Sequence, residues 1–307
     1  MTGHATGTIW FITGCTASGK SAVALELARR IGGEILAADS MQVYRGLDIG
    51  TAKPTPAERE AVPHHLLDLV GPEESFDAAR WLEEARAAVV RVQARGRVPI
   101  FCGGTGLYVK AWFEGLDAPP PSDEALRKEL EAWPLDRLLA ELESSDPDTY
   151  ATIDRQNPRR VLRAVEIVRL TGKPLERSRR SDARPESYSR AKLVALRREP
   201  GDLRTRVDQR VDAMFAAGLV DETRALSGRP WNRTAEQAIG YRQVLEHLRG
   251  ERGLPDTIAL VKQKTWQFAR RQMTWFRHQV PVRWLDLAPG ETTESGVERL
   301  TSMADGA

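Results

Sequence analysis

The sequence predicts an α/β protein in which a mostly parallel sheet has helices on both faces and an all-helical domain is inserted into this core. In the first hundred residues, short apolar runs alternate with longer segments rich in helix-forming residues, as in βαβ units. Three consecutive prolines, Pro119–Pro121, then interrupt this alternation. A strand-like run returns only at Lys192–Leu196, after a stretch that favours helix throughout.

The core elements follow from apolar runs and their lengths. Strands are expected at Thr8–Thr13, Glu34–Asp39 and Val98–Cys102, because each is short and apolar. Helices are expected at Ser21–Arg30 and at Asp77–Arg95; in the second, acidic residues come early and arginines late, as the helix dipole favours.

The prolines and the return to strand define the domains. Residues 1–118 and 190–307 are predicted to form the α/β core, and 119–189 the inserted helical domain. Asp202–Gly250 and Asp256–Gln279 are again predicted to be helical. The residues after Pro289 are small, polar and acidic, so a frayed tail is expected there.

Composition excludes several classes of protein. The chain has 307 residues, 41% hydrophobic and 29% charged, as in ordinary globular proteins. It has no apolar run of about 18 residues and no signal peptide, so a cytoplasmic protein without a membrane partner is expected, most simply a monomer. Cys15 and Cys102 form no CxxC pair, which argues against zinc and disulfides. The adjacent histidines His64 and His65 are expected to be structural.

Charge is unevenly distributed although the net charge is only +2. Pro121–Tyr150 contains three Lys or Arg against nine Asp or Glu, whereas Ala151–Pro200 contains fourteen against six. Such a basic stretch in a nearly neutral chain suits a polyanion that contacts one face of the protein. An ordinary solvated helix face would show the same pattern.

A phosphate-binding loop is the clearest local motif. Gly14–Ser21 (GCTASGKS) matches GxxxxGK[ST] at every fixed position, between a predicted strand and a predicted helix. Backbone N–H groups and the helix N-terminus attract phosphate there, Lys20 adds positive charge, and the Ser21 hydroxyl suits Mg²⁺. A P-loop-type core is therefore expected, as in ATP-binding proteins, but the motif alone defines no reaction. The candidate phosphate-binding residues are Gly14, Thr16, Ala17, Ser18, Gly19, Lys20 and Ser21.

Two further polar residues follow predicted strands. Asp39 ends the second strand and Thr105 follows Gly103 and Gly104 after the third. Because chemistry collects at the carboxyl ends of parallel strands, these residues and the P-loop are expected to share one crevice. Asp39 could hold Mg²⁺ through water, act as a general base, or simply cap a turn. Thr105 could contact a phosphate or an amine, or belong to a plain turn.

A set of longer motifs is far more specific. In chain order they are Ala38–Pro54 (ADSMQVYRGLDIGTAKP), Val62–Leu66 (VPHHL), Gly103–Tyr108 (GGTGLY), Asn157–Arg160 (NPRR), Ile239–Arg242 (IGYR) and Arg270–Arg277 (RRQMTWFR). In sequence and order they resemble the tRNA dimethylallyltransferases, also called isopentenyl-tRNA transferases. The resemblance spans most of the chain. One departure is Cys15, where the family usually has proline, and it leaves the backbone contacts of the loop available.

The resemblance implies a reaction. The P-loop would hold the diphosphate of dimethylallyl diphosphate with Mg²⁺, and the acceptor would be N6 of the adenosine 3′-adjacent to the anticodon in the tRNA anticodon stem-loop. Asp39 matches the family's general base, Thr105 the residue that positions the amine, and Arg127 an arginine near the reacting groups. The residues that match tRNA-contacting segments are Ser40, Met41, Gln42, Arg159, Arg160, Arg163, Gly240, Tyr241, Arg242, Arg270, Arg271, Gln272, Trp275 and Arg277. The inserted domain would bind tRNA.

Three other hypotheses share part of this evidence. A small-molecule kinase would share the P-loop and a helical insertion but would leave the motif at Ala38–Pro54 unexplained. A prenyltransferase acting on free AMP or ADP would not need the basic insertion. A non-enzymatic RNA-binding protein would not need intact Lys20, Asp39 and Thr105.

Overall fold

The structure, a computed structural model, describes residues 7–116, 123–175 and 191–305. The chain divides into two compact units, one formed by Met1–Ala111 with Glu186–Ala307 and the other by Trp112–Pro185. The three prolines of the predicted insertion lie outside the described residues, as do the arginines at positions 177, 179 and 180.

The first unit is built on a parallel sheet. In the described part of the chain its strands are β1 (Ile9–Gly14), β2 (Gly33–Ala37), β3 (His64–His65), β4 (Val98–Cys102), β5 (Ala191–Arg198) and β6 (Arg283–Leu287). Their order is β3-β2-β4-β1-β5-β6, and all neighbouring pairs are parallel. The predicted parallel α/β fold is thus confirmed, with two short edge strands, β3 and β6, that the sequence analysis did not predict.

Helices connect these strands. In chain order they are α1 (Lys20–Ile31), α2 (Pro56–Ala61), α3 (Ala78–Ala94), α4 (Gly106–Glu114), α5 (Glu124–Glu131), α6 (Leu135–Ser145), α7 (Pro147–Thr152), α8 (Pro158–Thr171), α9 (Pro200–Ala216), α10 (Leu219–Leu226), α11 (Arg233–Glu236), α12 (Tyr241–Leu248), α13 (Leu254–Gln279) and α14 (Thr293–Asp305). No helix in the described ranges is both long and apolar enough to cross a membrane.

Alternating side chains give the sheet two apolar faces, and helices cover both. On one face Ile12 of β1 joins a buried cluster with Leu27 of α1 and Leu300 of α14. On the other, Phe11 stacks on Phe101 of β4 with ring centroids 4.4 Å apart. Successive residues of a strand point to opposite faces, so a fully buried strand such as β1 is a continuous apolar run rather than an alternating one.

The chain end corrects one expectation. The frayed tail expected after Pro289 is in fact α14, and its side chains Val297 and Leu300 are fully buried against α1. These two residues lie three apart, the spacing of one helix face. The small and acidic residues around them concealed this short apolar stripe from the sequence analysis.

The histidine pair has the expected structural surroundings. His65 Nε2 lies 2.6 Å from Glu34 Oε2, and His64 Nδ1 lies 2.7 Å from the Val62 carbonyl oxygen. Arg95 also donates to the Glu34 carboxylate. Burial alone would raise the pKa of Glu34, but these hydrogen bonds bring it below its ordinary value.

The second unit, Trp112–Pro185, is helical in its described part. Its core contains Leu130 of α5, Leu142 of α6 and Val165 of α8. Side-chain caps start several of these helices: Asp123 caps α5, and Asn157 caps α8 by accepting from the Arg160 N–H. The sequence predicted a helical stretch here, and the described part of the unit consists of helices.

Candidate functional site

The P-loop joins β1 to α1 in a strained backbone path. Gly14 has φ 132° and Gly19 φ 97°, and Ala17 also adopts a positive φ of 63°. A Cβ on Gly14 would lie 2.6 Å from the Leu196 carbonyl oxygen of β5. Only glycine satisfies both the dihedral angle and the close approach at this point. The N-terminus of α1, starting at Lys20, therefore faces the crevice at the carboxyl edge of the sheet.

Cations fix the carbonyl groups of this loop. Three of its carbonyl oxygens accept hydrogen bonds from positively charged side chains. The pairs are Lys20 Nζ with Cys15 O at 3.3 Å, Arg206 Nε with Ala17 O at 3.1 Å, and Arg198 Nε with Ser18 O at 2.9 Å. Because these carbonyl oxygens are hydrogen-bonded, the loop keeps its curved conformation. The positive charges that would bind a polyphosphate are concentrated around the loop.

The cations and the candidate base share one electrostatic environment. Burial lowers the pKa of Lys20, the nearby Arg210 lowers it further, and Asp39 acts in the opposite direction. Burial also lowers the pKa of Arg210, again against the effect of Asp39. A site that concentrates partly desolvated cations attracts a polyanion strongly.

Sequence analysis missed Arg206 and Arg210. Both lie on α9, four residues apart and so on one face of a helix that begins immediately after β5. The four-residue spacing was the available sign that the two arginines act together. No sequence pattern within α9, however, shows that β5 lies beside the P-loop.

Asp39 lies two residues beyond the end of β2. Its Oδ1 accepts a hydrogen bond from the Met41 N–H at 2.9 Å, whereas Oδ2 makes no hydrogen bond with any described residue. This hydrogen bond, which caps the turn as considered above for Asp39, thus uses one carboxylate oxygen. The other oxygen is available to accept a proton.

Thr105 is joined directly to the Asp39 turn. Its Oγ1 accepts from the Ser40 N–H at 2.9 Å and lies 3.3 Å from Ser40 Oγ. Its own N–H donates to the Ala38 carbonyl oxygen at 3.1 Å. Since Ser40 adjoins Asp39, these bonds fix the threonine hydroxyl beside the carboxylate, as the common crevice required.

Gly103 is required by close packing rather than by its dihedral angle, and replacing it by alanine is expected to be severe. A Cβ there would lie 2.0 Å from the Ala38 carbonyl oxygen, a backbone atom in the Asp39 turn. We expect Gly103→Ala to lower the free energy of unfolding by about 3 kcal/mol, the upper part of the range for overpacking.

Urea denaturation of the wild-type protein and of Gly103→Ala checks this value. The control is Gly228→Ala, since a Cβ at Gly228 meets no atom within 4 Å, and it is expected to change stability by less than about 0.5 kcal/mol. Equal stabilities for the two variants would contradict the packing argument.

The segment after Asp39 is held by a carboxylate. Glu222 of α10 accepts hydrogen bonds from the N–H groups of Ile49 at 3.0 Å and of Asp48 and Gly50 at longer distances. The Tyr241 hydroxyl donates to the same carboxylate at 2.5 Å and accepts from the Gly50 N–H at 3.0 Å. Three successive N–H groups around one anion form a nest.

Tyr241 was predicted to contact tRNA, and the structure corrects this for its side chain. The ring is fully buried and a Cβ on Gly50 would lie 2.4 Å from it. In this conformation RNA cannot reach the ring. Tyr241 instead stabilises the segment after Asp39 from inside the protein, through its hydrogen bond with the Gly50 N–H. Its neighbour Gly240 is the N-cap residue of α12, and Arg242 is exposed and paired with Glu246.

The buried ammonium group of Lys53 also stabilises the segment that follows Asp39. Lys53, whose side chain is 1% exposed, donates to the Tyr44 carbonyl oxygen and to the carboxylates of Asp48 and Asp68. The Gln42 amide donates to the carbonyl oxygens of Thr51 and Ala52. Ser40, Met41 and Gln42, the predicted base-contacting residues, thus lie on a braced loop and are each partly exposed.

Helix α13 carries the last predicted motif. Arg270, Arg271 and Arg277 are exposed, as an RNA contact requires. Trp275 is half-buried and packs on Gly106, where a Cβ would lie 2.2 Å from its ring. Gln272 is buried, so its side chain contacts the loops of the site rather than solvent.

The arginines predicted in the helical unit are of two kinds. Arg159 and Arg160 are exposed at the start of α8. Arg163 instead donates to the buried Glu166 carboxylate at 2.7 Å, and Arg127 of α5 lies 3.8 Å from the same carboxylate. Within this unit Arg127 and Arg163 form one charge cluster.

The oxygen donors of the site suit Mg²⁺. No group of three His, Cys, Asp or Glu side chains able to hold a metal occurs among the described residues. Ser21 is exposed and hydrogen-bonded to the Cys102 thiol, whose pKa burial raises to about 11. Mg²⁺ commonly takes one or two protein oxygens and completes its shell with phosphates and water. A hydroxyl at Ser21 and the carboxylate of Asp39 fit that pattern.

Comparisons with known proteins agree with this arrangement. The profile of the IPP transferase family matches residues 42–279. The tRNA dimethylallyltransferase of Anaeromyxobacter sp. strain K is 48% identical over 94% of this chain and 95% of its own. The corresponding enzyme of Geobacter metallireducens is 45% identical over 91% and 92%.

Solved structures give the same result. The tRNA isopentenylpyrophosphate transferase of Bacillus halodurans is 37% identical, with a TM-score of 0.71 over 97% of this chain and 96% of that one. A eukaryotic dimethylallyltransferase, described as acting on tRNA, is 27% identical with a TM-score of 0.83 over 97% and 78%. With a sheet that places P-loop, Asp39 and Thr105 at one edge, and with relatives this similar over nearly its full length, the chain belongs to the tRNA dimethylallyltransferase family of prenyltransferases.

Proposed function

We propose that the enzyme transfers a dimethylallyl group from dimethylallyl diphosphate to N6 of the adenosine 3′-adjacent to the anticodon in tRNA, with Asp39 as general base and the P-loop as diphosphate site. The main support is the convergence described above, in which a carboxylate with a free oxygen, a fixed threonine hydroxyl and a cationic loop adjoin one another.

The diphosphate end of the reaction needs positive charge. As the allylic C1–O bond breaks, the diphosphate leaves with the bonding electrons and its charge increases. Lys20, Arg206 and Arg210 and the amides at the start of α1 supply preorganised positive potential there. Bound Mg²⁺, held by Ser21 and the phosphate oxygens, would supply further charge neutralisation.

The acceptor end needs orientation and a base. The N6 amine is a weak nucleophile because its lone pair is delocalised into the ring. As the N6–C1 bond forms, Oδ2 of Asp39 accepts the proton that N6 loses, and the Thr105 hydroxyl holds the amine in line. The target adenosine must leave its stack to reach this crevice, which costs a few kcal/mol in a loop.

A transfer assay tests the proposal. The protein, Mg²⁺ and radiolabelled dimethylallyl diphosphate are incubated with unmodified tRNA or with AMP, and labelled product is followed. We expect label in tRNA and none in AMP. Label in AMP alone would establish the free-nucleotide enzyme instead, and phosphate transfer from ATP without prenyl transfer would establish the kinase.

Affinity for tRNA is expected to fall steeply with salt. Exposed cations such as Arg159, Arg160, Arg270, Arg271 and Arg277 suit phosphate contacts, and ~6–10 such contacts would reduce the association constant by ~10³–10⁵ between 50 and 200 mM salt. Filter binding across that range measures the slope. A flat response would show that these arginines contact few phosphates.

A further inference from the structure

We infer that Gln272 is a positioning residue that couples RNA binding on α13 to the diphosphate loop and to Thr105. The inference rests on the proposed function, because it assigns a role within that reaction. It concerns a residue that the sequence motif placed among the tRNA contacts but that the structure buries.

The Gln272 amide bridges the two loops of the site. Its Oε1 accepts from the Thr16 N–H of the P-loop at 2.8 Å, and its Nε2 donates to the Gly104 carbonyl oxygen at 2.9 Å. The side chain is only 8% exposed. A primary amide carries a donor and an acceptor on one planar group, so one side chain satisfies one backbone group in each loop. Exchanging its oxygen and nitrogen would break both bonds, which fixes the orientation.

Close packing makes this contact rigid. A Cβ on Gly104 would lie 2.4 Å from Gln272 Nε2, and one on Gly106 would lie 2.2 Å from the Trp275 ring. Gln272 and Trp275 are three residues apart on α13 and so share one face of the helix. Together they contact the glycines on either side of Thr105. A movement of α13 therefore moves the turn that carries the threonine hydroxyl.

The other end of the bridge reaches the phosphate site. Thr16 adjoins Cys15, whose carbonyl oxygen accepts from Lys20. The bridge thus sets the separation between the loop that would bind diphosphate and the hydroxyl beside Asp39. A shift of a fraction of an ångström there would move the leaving group out of line with the amine.

The opposite side of α13 is exposed and basic. Arg270 and Arg271 directly precede Gln272, and Arg277 follows Trp275 by two residues, about half a helical turn. RNA held by these arginines would restrain the helix, and Gln272 would transmit that restraint to both loops. Coupling of this kind is reciprocal, so diphosphate must strengthen RNA binding by the same factor.

Binding of inorganic pyrophosphate with Mg²⁺, measured by calorimetry with and without an unmodified tRNA anticodon stem-loop, tests the inference. In the wild-type enzyme we expect the RNA to raise pyrophosphate affinity by about 5–150-fold, the usual range for coupled sites. In Gln272→Met, which keeps the length but loses both hydrogen bonds, we expect the factor to fall below about twofold while each ligand alone still binds.

A second variant and a control complete the design. Gln272→Asn keeps the amide but is one methylene too short to span both loops, so it also should lose coupling, and either variant suffices if the other does not fold. Gln263→Met, at an exposed position of the same helix, should retain it. Wild-type coupling that persists in the folded Gln272 variants, or its absence from the wild-type enzyme, would overturn the inference.

The assay is independent of the proposed reaction. It measures binding of two ligands and not turnover, so a failure of prenyl transfer and a failure of coupling are seen separately. In a turnover assay, Gln272→Met should lower kcat about tenfold or more with little change in the KM for tRNA, because the RNA contacts themselves are intact.

Discussion

Replacing Asp39 by asparagine is expected to lower kcat for prenyl transfer by about 10²–10⁴-fold, the usual contribution of a positioned base. The change is conservative for the fold. Oδ1 accepts from the Met41 N–H, and the asparagine carbonyl oxygen can accept the same bond. The group at Oδ2, which would take the N6 proton, becomes an amide that cannot act as a base. The loss should therefore appear in kcat and not in the affinity for tRNA.

Single-turnover kinetics with saturating tRNA and dimethylallyl diphosphate measure this effect. Asp221→Asn is a suitable control, because Asp221 is exposed on α10 and, among the residues that the structure describes, its ion pair is with Arg224. It should react at the wild-type rate. An Asp39→Asn enzyme of full activity would exclude Asp39 as the base.

Lys20→Met is expected to lower activity without lowering stability. Loss of one preorganised cation at a developing negative charge typically costs about 10²–10³-fold in rate, and pyrophosphate binding should weaken as well. The Lys20 ammonium, however, lies in a partly desolvated environment that lowers its pKa, with Arg210 adding repulsion. An apolar side chain of similar length removes that unfavourable burial, so the melting temperature should stay equal or rise.

Thermal denaturation measures the effect on stability, and pyrophosphate titration of the same preparation measures the effect on ligand binding. Lys128→Met, at an exposed position of α5, should change neither. A Lys20→Met protein that is less stable than wild type would show that Lys20 supports the fold of the P-loop more than it serves the ligand. Such an outcome would be understood through its bond to the Cys15 carbonyl oxygen. A stabilised, inactive variant is the result expected for a site residue.

Local sequence patterns were enough to predict most of the core. β4 was predicted at its observed ends and β1 within one residue, because buried parallel strands are short apolar runs with clear borders. β6 was missed because Arg283 and Asp286 interrupt its apolar pattern. At the sheet edge both side chains are exposed, and Asp286 pairs with Arg197 of β5, which only the sheet topology reveals.

In the candidate site, too, local sequence patterns predicted some residues and missed those that meet only in the folded chain. The P-loop, Asp39 and Thr105 follow strand ends, so their meeting could be predicted from the order of elements in a parallel sheet. Glu222 and Arg206 act across long stretches of sequence, and no local pattern marks them. The burial of Tyr241 and Gln272 was likewise invisible, because a motif states which residues occur together but not whether a side chain points to solvent or into the protein.

The strand order also has a consequence for how the chain is made. β1 lies between β4 and β5, yet the residues of β5 follow those of β4 by about 90 positions. On the ribosome, at roughly 5–20 residues per second, β1 already paired with β4 would wait about 5–20 s more for β5 on its other edge. An apolar edge without its partner pairs readily with other chains. The newly made chain therefore passes through an interval in which this edge of β1 is open to pairing with other chains.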